Sequence, residues 1–313
     1  MIARTIARES ALPIQPVSFD LHERDFARFA DALGRSFERY GFAVVEGHRI
    51  DPALIARADR ATRAFFALPA PVKRRYQLAG AAGQRGYVPF GVETAKGAAH
   101  PDLKEFWHVG REGPARLANV WPAEIAGFRP AVAALYAAFD DLGAALLAGV
   151  AHHLGLPRDH FREAVADGES ILRLLHYPPT DGAGPAIRAG AHEDINAITL
   201  LLGAEEAGLE LLDRDGRWLA VNPEPGAVVV NIGDMLQRLT NHRLPSTTHR
   251  VVNPAPARRG VARYSMPFFL HFRSDYLIET LPGCVGVDAP DRYPAPITAR
   301  AYLDERLREI RLA

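Results

Sequence analysis

His192 and Asp194 stand two residues apart in AHEDINAITLLL, at the opening of an apolar run. In a strand, residues i and i+2 project from one face, so the two side chains can converge on a point while Glu193 faces away. A lone His-x-Asp pair recurs by chance and carries little by itself. His249, in STTHRVVNP, supplies a second imidazole, and its separation of 57 positions from His192 leaves room for several strands to curl round and bring them together. Two imidazoles and one carboxylate make the facial set that holds Fe(II) while leaving coordination positions open. A zinc hydrolase could use the same ligands. The single cysteine, Cys284, lies in LPGCVG with no base near it in sequence, so neither a thiolate cluster nor a cysteine nucleophile is expected.

Arg263 and Ser265 in RYSMPFF share one strand face in the same way. A guanidinium pairs bidentately with a carboxylate, and a hydroxyl beside it adds a donor. Arginine on a strand is usually solvated, but the apolar MPFFL that follows predicts an inward-facing one on the face that also carries Pro267 and Phe269. His152, His153 and His160 sit in or just after a helical pattern and read as helix-end histidines. Asp234, in NIGDMLQ, reads as a turn or cap residue.

These residues need a scaffold of strands, and the chain changes character to supply one. Over 21–80 and 115–167, apolar residues recur at three-and-four spacing, as in FARFADALGRSFERYGF and AVAALYAAFDDLGAALLAGVAHHLGL, which predicts helices. FAVVEGHRI between the first helical patterns fits a strand. From about 169 the period becomes two, in ILRLLHYPP, AITLLL, GLELLDRDGRWLAV, GAVVVNIGD, STTHRVVNP and RYSMPFFLHF, with DRDG as a hairpin turn. Many short strands with few helices between them predict an antiparallel sandwich or barrel of the jelly-roll type. ITARAYLDERLREIRLA returns to a helical pattern.

Composition narrows the partners. The 313 residues carry 37 basic and 37 acidic side chains, so no net field attracts nucleic acid or an anionic membrane. No window holds 18 uninterrupted apolar residues, and a membrane-spanning helix is not expected. The start has two arginines before residue 9 but no apolar run of signal-peptide length; it reads as a leader before a first strand. A cytoplasmic location follows as the expectation. Thirty-four arginines against three lysines reflect a GC-rich genome and point to a bacterial source.

With these motifs assembled, the chain resembles the isopenicillin N synthase-like branch of the Fe(II)/2-oxoglutarate-dependent dioxygenases. The resemblance is carried by ERYGFAVVEGH, FFALPAPVKRRY, RGYVPFGVE, DLKEFWHVG and NVWP, then LHYPP, AHEDINAITLLL, GLELLDRDGRWLAV, PGAVVVNIGDMLQRLTN, STTHRVVNP and RYSMPFF, in that order. It implies a mixed α and β fold: a double-stranded β-helix (jelly-roll) core flanked by helices, with an N-terminal α/β region packed on it. Residues 1–115 would form that N-terminal region, 116–167 a helical connector, 168–280 the oxygenase jelly roll and 281–313 a tail with a helix that covers the pocket mouth.

The resemblance further implies that His192, Asp194 and His249 bind Fe(II), and that Arg263 and Ser265 hold the distal carboxylate of 2-oxoglutarate with Tyr177 beside it. Phe269, and Tyr87 less directly, would border the substrate. The implied reaction oxidises a small molecule with dioxygen, by hydroxylation, desaturation or ring closure, and releases succinate and carbon dioxide; ascorbate would serve as reductant. Relatives that do not consume 2-oxoglutarate share the Arg-x-Ser pattern, so an oxidase of the isopenicillin N synthase type stays open, as do an ethylene-forming fragmentation of 2-oxoglutarate and a non-catalytic jelly-roll binding protein. Leu175 stands where plant flavonoid members carry asparagine, which argues against their substrates. Oligomeric state leaves no mark in the sequence.

Overall fold

The computed structural model describes residues 14–81, 83–94, 100–113, 116–180, 186–202 and 207–309; the leader expected at the N-terminus lies largely outside them. Three long helices form on apolar stripes. Phe26–Tyr40 starts at Asp25, whose carboxylate accepts from the Arg28 N–H at 3.1 Å, and ends at Gly41 with φ 66°. Phe29, Leu33 and Phe37 on its buried face have no exposure, and each such side chain contributes roughly 2 kcal/mol. Pro52–Phe66 is capped by Asp51, with proline at its first position.

Phe128–His153 is long and apolar enough to cross a bilayer by length and composition. In this fold half of its apolar window is buried. Phe139 stacks on Phe268 of the sheet at 5.7 Å between ring centres, and Leu135, Leu142 and Leu146 lie in the same core.

The strands in chain order are β1 (Val17–Ser18), β2 (Phe42–Glu46), β3 (Gly86–Val88), β4 (Glu105–Gly110), β5 (Ile171–Tyr177), β6 (Ala189–His192), β7 (Ile198–Leu202), β8 (Leu209–Leu212), β9 (Trp218–Ala220), β10 (Val228–Ile232), β11 (His249–Val251), β12 (Arg263–Ser265), β13 (Pro267–Leu270), β14 (Leu277–Ile278) and β15 (Ile297–Thr298). The large sheet runs β1-β2-β10-β7-β13-β5-β4-β3, with β12 also on β5; the small one runs β6-β11-β8-β9. They enclose an apolar cluster that includes Phe42, Phe106 and Tyr177 from the large sheet and Leu211 and Val251 from the small one. A second cluster, with Trp107, Leu172, Leu174 and Phe268, lies between the large sheet and the helices. This is the expected jelly-roll architecture, two facing sheets rather than a closed barrel.

The N-terminal region does more than pack on the core. Its strands β1–β4 are hydrogen-bonded into the large sheet, β2 against β10 and β4 against β5. The hairpin at DRDG forms as expected, with Gly216 at φ 75° between β8 and β9. The C-terminal pattern becomes the helix Ala299–Glu309.

Candidate metal centre

His192 and His249 are directly opposite each other in the β6–β11 pair, and their ring centres are 4.4 Å apart. Asp194 follows β6 in the turn that leads into β7. Its Oδ1 lies 3.8 Å from His192 Nε2 and its Oδ2 3.9 Å from His249 Nε2. The three candidate ligand atoms all fall within 4.8 Å of one another.

The surroundings orient each group. His192 Nδ1 lies 2.7 Å from the Gly190 carbonyl, and His249 Nδ1 lies 3.1 Å from that of Thr247. A carbonyl only accepts, so each Nδ1 carries the proton and each Nε2 lone pair points inward. Asp194 Oδ2 accepts from Thr199 Oγ1 at 2.6 Å and Asn231 Nδ2 at 2.8 Å. Gly233 lets the β10 turn lie on this segment, since a Cβ there would come within 2.1 Å of the Asn196 carbonyl. That approach allows the Asp234 N–H to donate to the Asp194 carbonyl at 2.7 Å.

Electrostatics favours a cation at this point. Burial, reinforced by His249, pushes His192 down to about 4, so its imidazole is neutral at pH 7. Burial would raise the Asp194 carboxyl, but the two imidazoles and its hydrogen bonds outweigh that and keep it below the usual range. Two imidazoles and one carboxylate, with no thiolate, fit Fe(II).

The expected clamp lies on the same inner face. Arg263 is opposite Tyr177 and Ser265 opposite Leu175; both clamp residues are buried. Arg263 Nη1 donates to Ser265 Oγ at 3.1 Å, and the guanidinium lies 5.1 Å from the Tyr177 ring centre. A buried guanidinium and hydroxyl side by side fit a carboxylate. Leu175 is part of the apolar cluster between the sheets. Phe269 is paired with Thr199, the residue that holds Asp194, which puts it on the same inner face of the sheet.

Tyr87 requires a correction. It is opposite Trp107, and both belong to the cluster on the helix side of the sheet. Its ring packs 5.7 Å from Phe65 and its hydroxyl bonds Glu105, so it faces away from the triad. Strand alternation is the reason: one step along, Val88 occupies the inner face. Asp234 also proves more than a cap. It is buried, raised to about 6 chiefly by desolvation, and its Oδ2 lies 3.0 Å from Arg306 of the C-terminal helix. That contact brings the tail to the turn beside Asp194. Among the three other histidines considered, His153 pairs with Glu38 at 3.1 Å, His152 packs on Phe26 and His160 on Phe161.

Several polar residues of the inner face escaped the sequence reading. Thr199 and Asn231 each interrupt an apolar strand, and that interruption was their signal. Asp102, Lys104, Glu93, Arg173 and His108 form a largely buried cluster that motif spacing does not mark. Asp102 Oδ1 accepts from the Gly190 N–H at 2.9 Å and Oδ2 pairs with Lys104 at 2.7 Å, which ties the cluster to the strand bearing His192.

Residues 168–272 match the 2OG-Fe(II) oxygenase superfamily, and residues 12–124 match a family described as the N-terminal region of a non-haem dioxygenase in morphine synthesis. A 2-oxoglutarate-Fe(II) type oxidoreductase of Emericella nidulans is 36% identical over 294 residues, 87% of this chain and 82% of its own length. The chain belongs to the 2OG-Fe(II) oxygenase superfamily: it is an oxidoreductase that uses Fe(II) and 2-oxoglutarate.

Solved structures agree with that membership. A 2OG-Fe(II) oxygenase family protein from Caulobacter crescentus superposes with TM-score 0.89 at 59% identity, covering 96% of this chain and all of that one (100%). A full-length Neurospora crassa protein, crystallised with alpha-KG and thymine, matches with TM-score 0.86 at 29% identity, covering 96% of this chain and 98% of that one.

Proposed function

We propose that His192, Asp194 and His249 hold the Fe(II), that Arg263, Ser265 and Tyr177 hold 2-oxoglutarate, and that the reaction oxidises a C–H bond of a small molecule. The observation that carries this reading is the convergence of three ligand atoms within 4.8 Å, on the sheet interior that also bears the buried Arg263–Ser265 pair. When bound, the iron supplies the activation of dioxygen, with 2-oxoglutarate as the source of two electrons and of the succinate and carbon dioxide released.

The chain's own residues do the positioning. Gly190 and Thr247 carbonyls hold the imidazole rings, while Thr199 and Asn231 hold the carboxylate. Arg263 binds and orients the distal carboxylate of the cosubstrate, and the apolar residues between the sheets exclude water around it. The division into an N-terminal region to 115, a connector to 167, a jelly roll to 280 and a tail is supported by the spans of the two family matches. A bacterial source is supported by the arginine bias and the similarity to the Caulobacter crescentus protein, and a cytoplasmic location by the balanced charge and single cysteine.

Anaerobic titration tests the reading. Fe(II) plus 2-oxoglutarate should give a visible metal-to-ligand charge-transfer band in wild type. A folded, iron-loaded protein without that band, or oxygen uptake with ascorbate that releases no succinate, would return the choice to the 2-oxoglutarate-independent oxidases.

A further inference from the structure

Past the clamp, the inner face of the large sheet carries a polar group that the proposed chemistry does not use. Along β5, Tyr177, Leu175 and Arg173 share this face at successive i, i+2 positions, and Phe269 lies diagonally across from Arg173 on β13. The Arg173 guanidinium is stacked 4.2 Å from the Phe106 ring centre and 5.2 Å from that of Phe269.

Two of its three nitrogens are committed. Nε donates to His108 Nε2 at 2.6 Å, and Nη1 donates to Glu93 at 3.1 and 3.3 Å. His108 can accept because its own Nδ1 faces the Gly83 carbonyl at 2.6 Å, and because burial, aided by the Arg173 charge, holds the ring neutral. Nη2 has no hydrogen bond to any described residue. It is not among the fully buried orphaned atoms either, so it borders open space. Two fixed nitrogens aim the third.

Phe269 is unfinished in the same sense. It is only partly buried, packs into neither apolar cluster, and among the described residues has Arg173 as its one ring or cation partner. A large ring left partly bare on the inner face that also carries Thr199 has apolar area still to cover.

The charges identify the class of group that Nη2 awaits. Glu93 pairs with both Arg173, at 3.1 Å, and Lys104, at 2.8 Å, and Asp102 pairs with Lys104 at 2.7 Å. Two cations are thus matched by two carboxylates before any ligand enters. An incoming anion would be buried against a neutralised cluster, whereas a neutral carbonyl oxygen needs only the open N–H donors.

We propose that this site takes, as its primary substrate, a small, flat, uncharged ring bearing a carbonyl: the ring lies on Phe269 and the carbonyl accepts from Arg173 Nη2. The proposal rests on the triad and clamp reading, because that reading makes the inner face, which carries Phe269 and Arg173, the reacting side of the sheet. It makes Arg173 and Phe269 specificity residues, acting separately from the cosubstrate clamp.

The test uses the anaerobic holoenzyme loaded with Fe(II) and 2-oxoglutarate, after the charge-transfer band has been recorded. Calorimetric titration compares 2-pyridone with its saturated counterpart δ-valerolactam and with the anionic flat ring benzoate. The expected order has 2-pyridone bound at least about tenfold tighter than either of the others. Arg173→Lys, which keeps the charge and loses the planar fork, should weaken 2-pyridone by about tenfold or more while the 2-oxoglutarate Kd holds. If Arg173→Lys does not fold, Phe269→Leu carries the test by narrowing the 2-pyridone to δ-valerolactam ratio to within about threefold.

Equal affinities for the three probes, preference for benzoate, no binding of 2-pyridone, or variants that bind like wild type would each overturn the proposal. If the band forms and the probes fail, the substrate assignment alone falls. If the band is absent, the iron and cosubstrate reading falls and takes the substrate assignment with it.

Discussion

Two buried polar clusters flank the same pair of strands, β4 and β5, on opposite faces. On the helix side, Glu105 accepts from Lys73 at 2.8 Å, from Tyr87, and pairs with His176 at 2.8 Å. Lys73 spends its remaining donor on the Phe66 carbonyl at 3.1 Å, and Phe66 and Tyr264 cover the His176 ring. Lys73, Tyr87 and His176 each bond Glu105, and Lys73 has three protein acceptors. On the inner side, the cluster of Glu93, Lys104, Asp102, His108 and Arg173 balances its charges yet leaves one guanidinium nitrogen toward open space. The two clusters differ little in burial or charge. They differ in whether their donors are exhausted, and that separates a cluster that holds strands together from one prepared for a ligand.

The comparison can be broken most sharply at the triad. His192→Ala should abolish turnover and bound iron, read by succinate release and metal analysis, while unfolding stability stays within about 1 kcal/mol of the metal-free wild type. A large stability loss would mean that the inner face also carries the fold. The converse experiment is Glu105→Ala, which strands Lys73 as an unpaired buried charge. It should cost about 3–5 kcal/mol in urea unfolding. The 2-oxoglutarate affinity of the folded fraction should be preserved, and a comparable loss of that affinity would erase the distinction between the faces.

Arg263→Ala should weaken 2-oxoglutarate binding by roughly 1.5–3 kcal/mol, the range for hydrogen bonds to a charged group, with little effect on iron content. An unchanged Kd would remove Arg263 from the clamp.

The smallest expected effect is in the pH dependence, and the two faces should lose stability in different windows. His108 on the inner side is held well below its ordinary 6.5, chiefly by burial and then by Arg173. The unfolded chain therefore takes up a proton that the native one refuses as pH falls below about 6.5, and stability declines from there. Glu105 on the helix side is opposed by burial but held below 4.5 by His176, Lys73 and Tyr87. Its contribution is complete above 4.5 and disappears as pH falls through the lower native value. His108→Gln should remove about one proton, or 1.4 kcal/mol per pH unit, from the slope near pH 6, and Glu105→Gln should do the same below pH 4.5. Slopes that each variant leaves unchanged would show that neither group titrates as described.

The candidate metal centre and clamp were legible in the chain because each is a local pattern: His-x-Asp and Arg-x-Ser place two side chains on one strand face whatever surrounds them. The jelly roll followed from period-two runs separated by turn signals. Tyr87 shows where such reading ends. Its segment carried no alternation long enough to fix a face, and a shift of one residue moved it from the site into the core beside Phe65 and Trp107. The same limit applied to the N-terminal strands: the hydrogen bonds that draw β2 and β4 into the large sheet join residues far apart in sequence.

Arg173 and His108 were invisible for a related reason. Each reads as an ordinary polar residue inside an apolar strand, and nothing in the chain marks them as partners. Residue types and spacing alone determined the candidate ligands, the candidate clamp and the fold class, because side-chain direction along a single strand is a local property. Which buried charges are satisfied and which stay open was decided only by tertiary structure. It depends on Glu93, His108, Arg173 and Phe269 meeting across strands and loops, and no local rule encodes those distances.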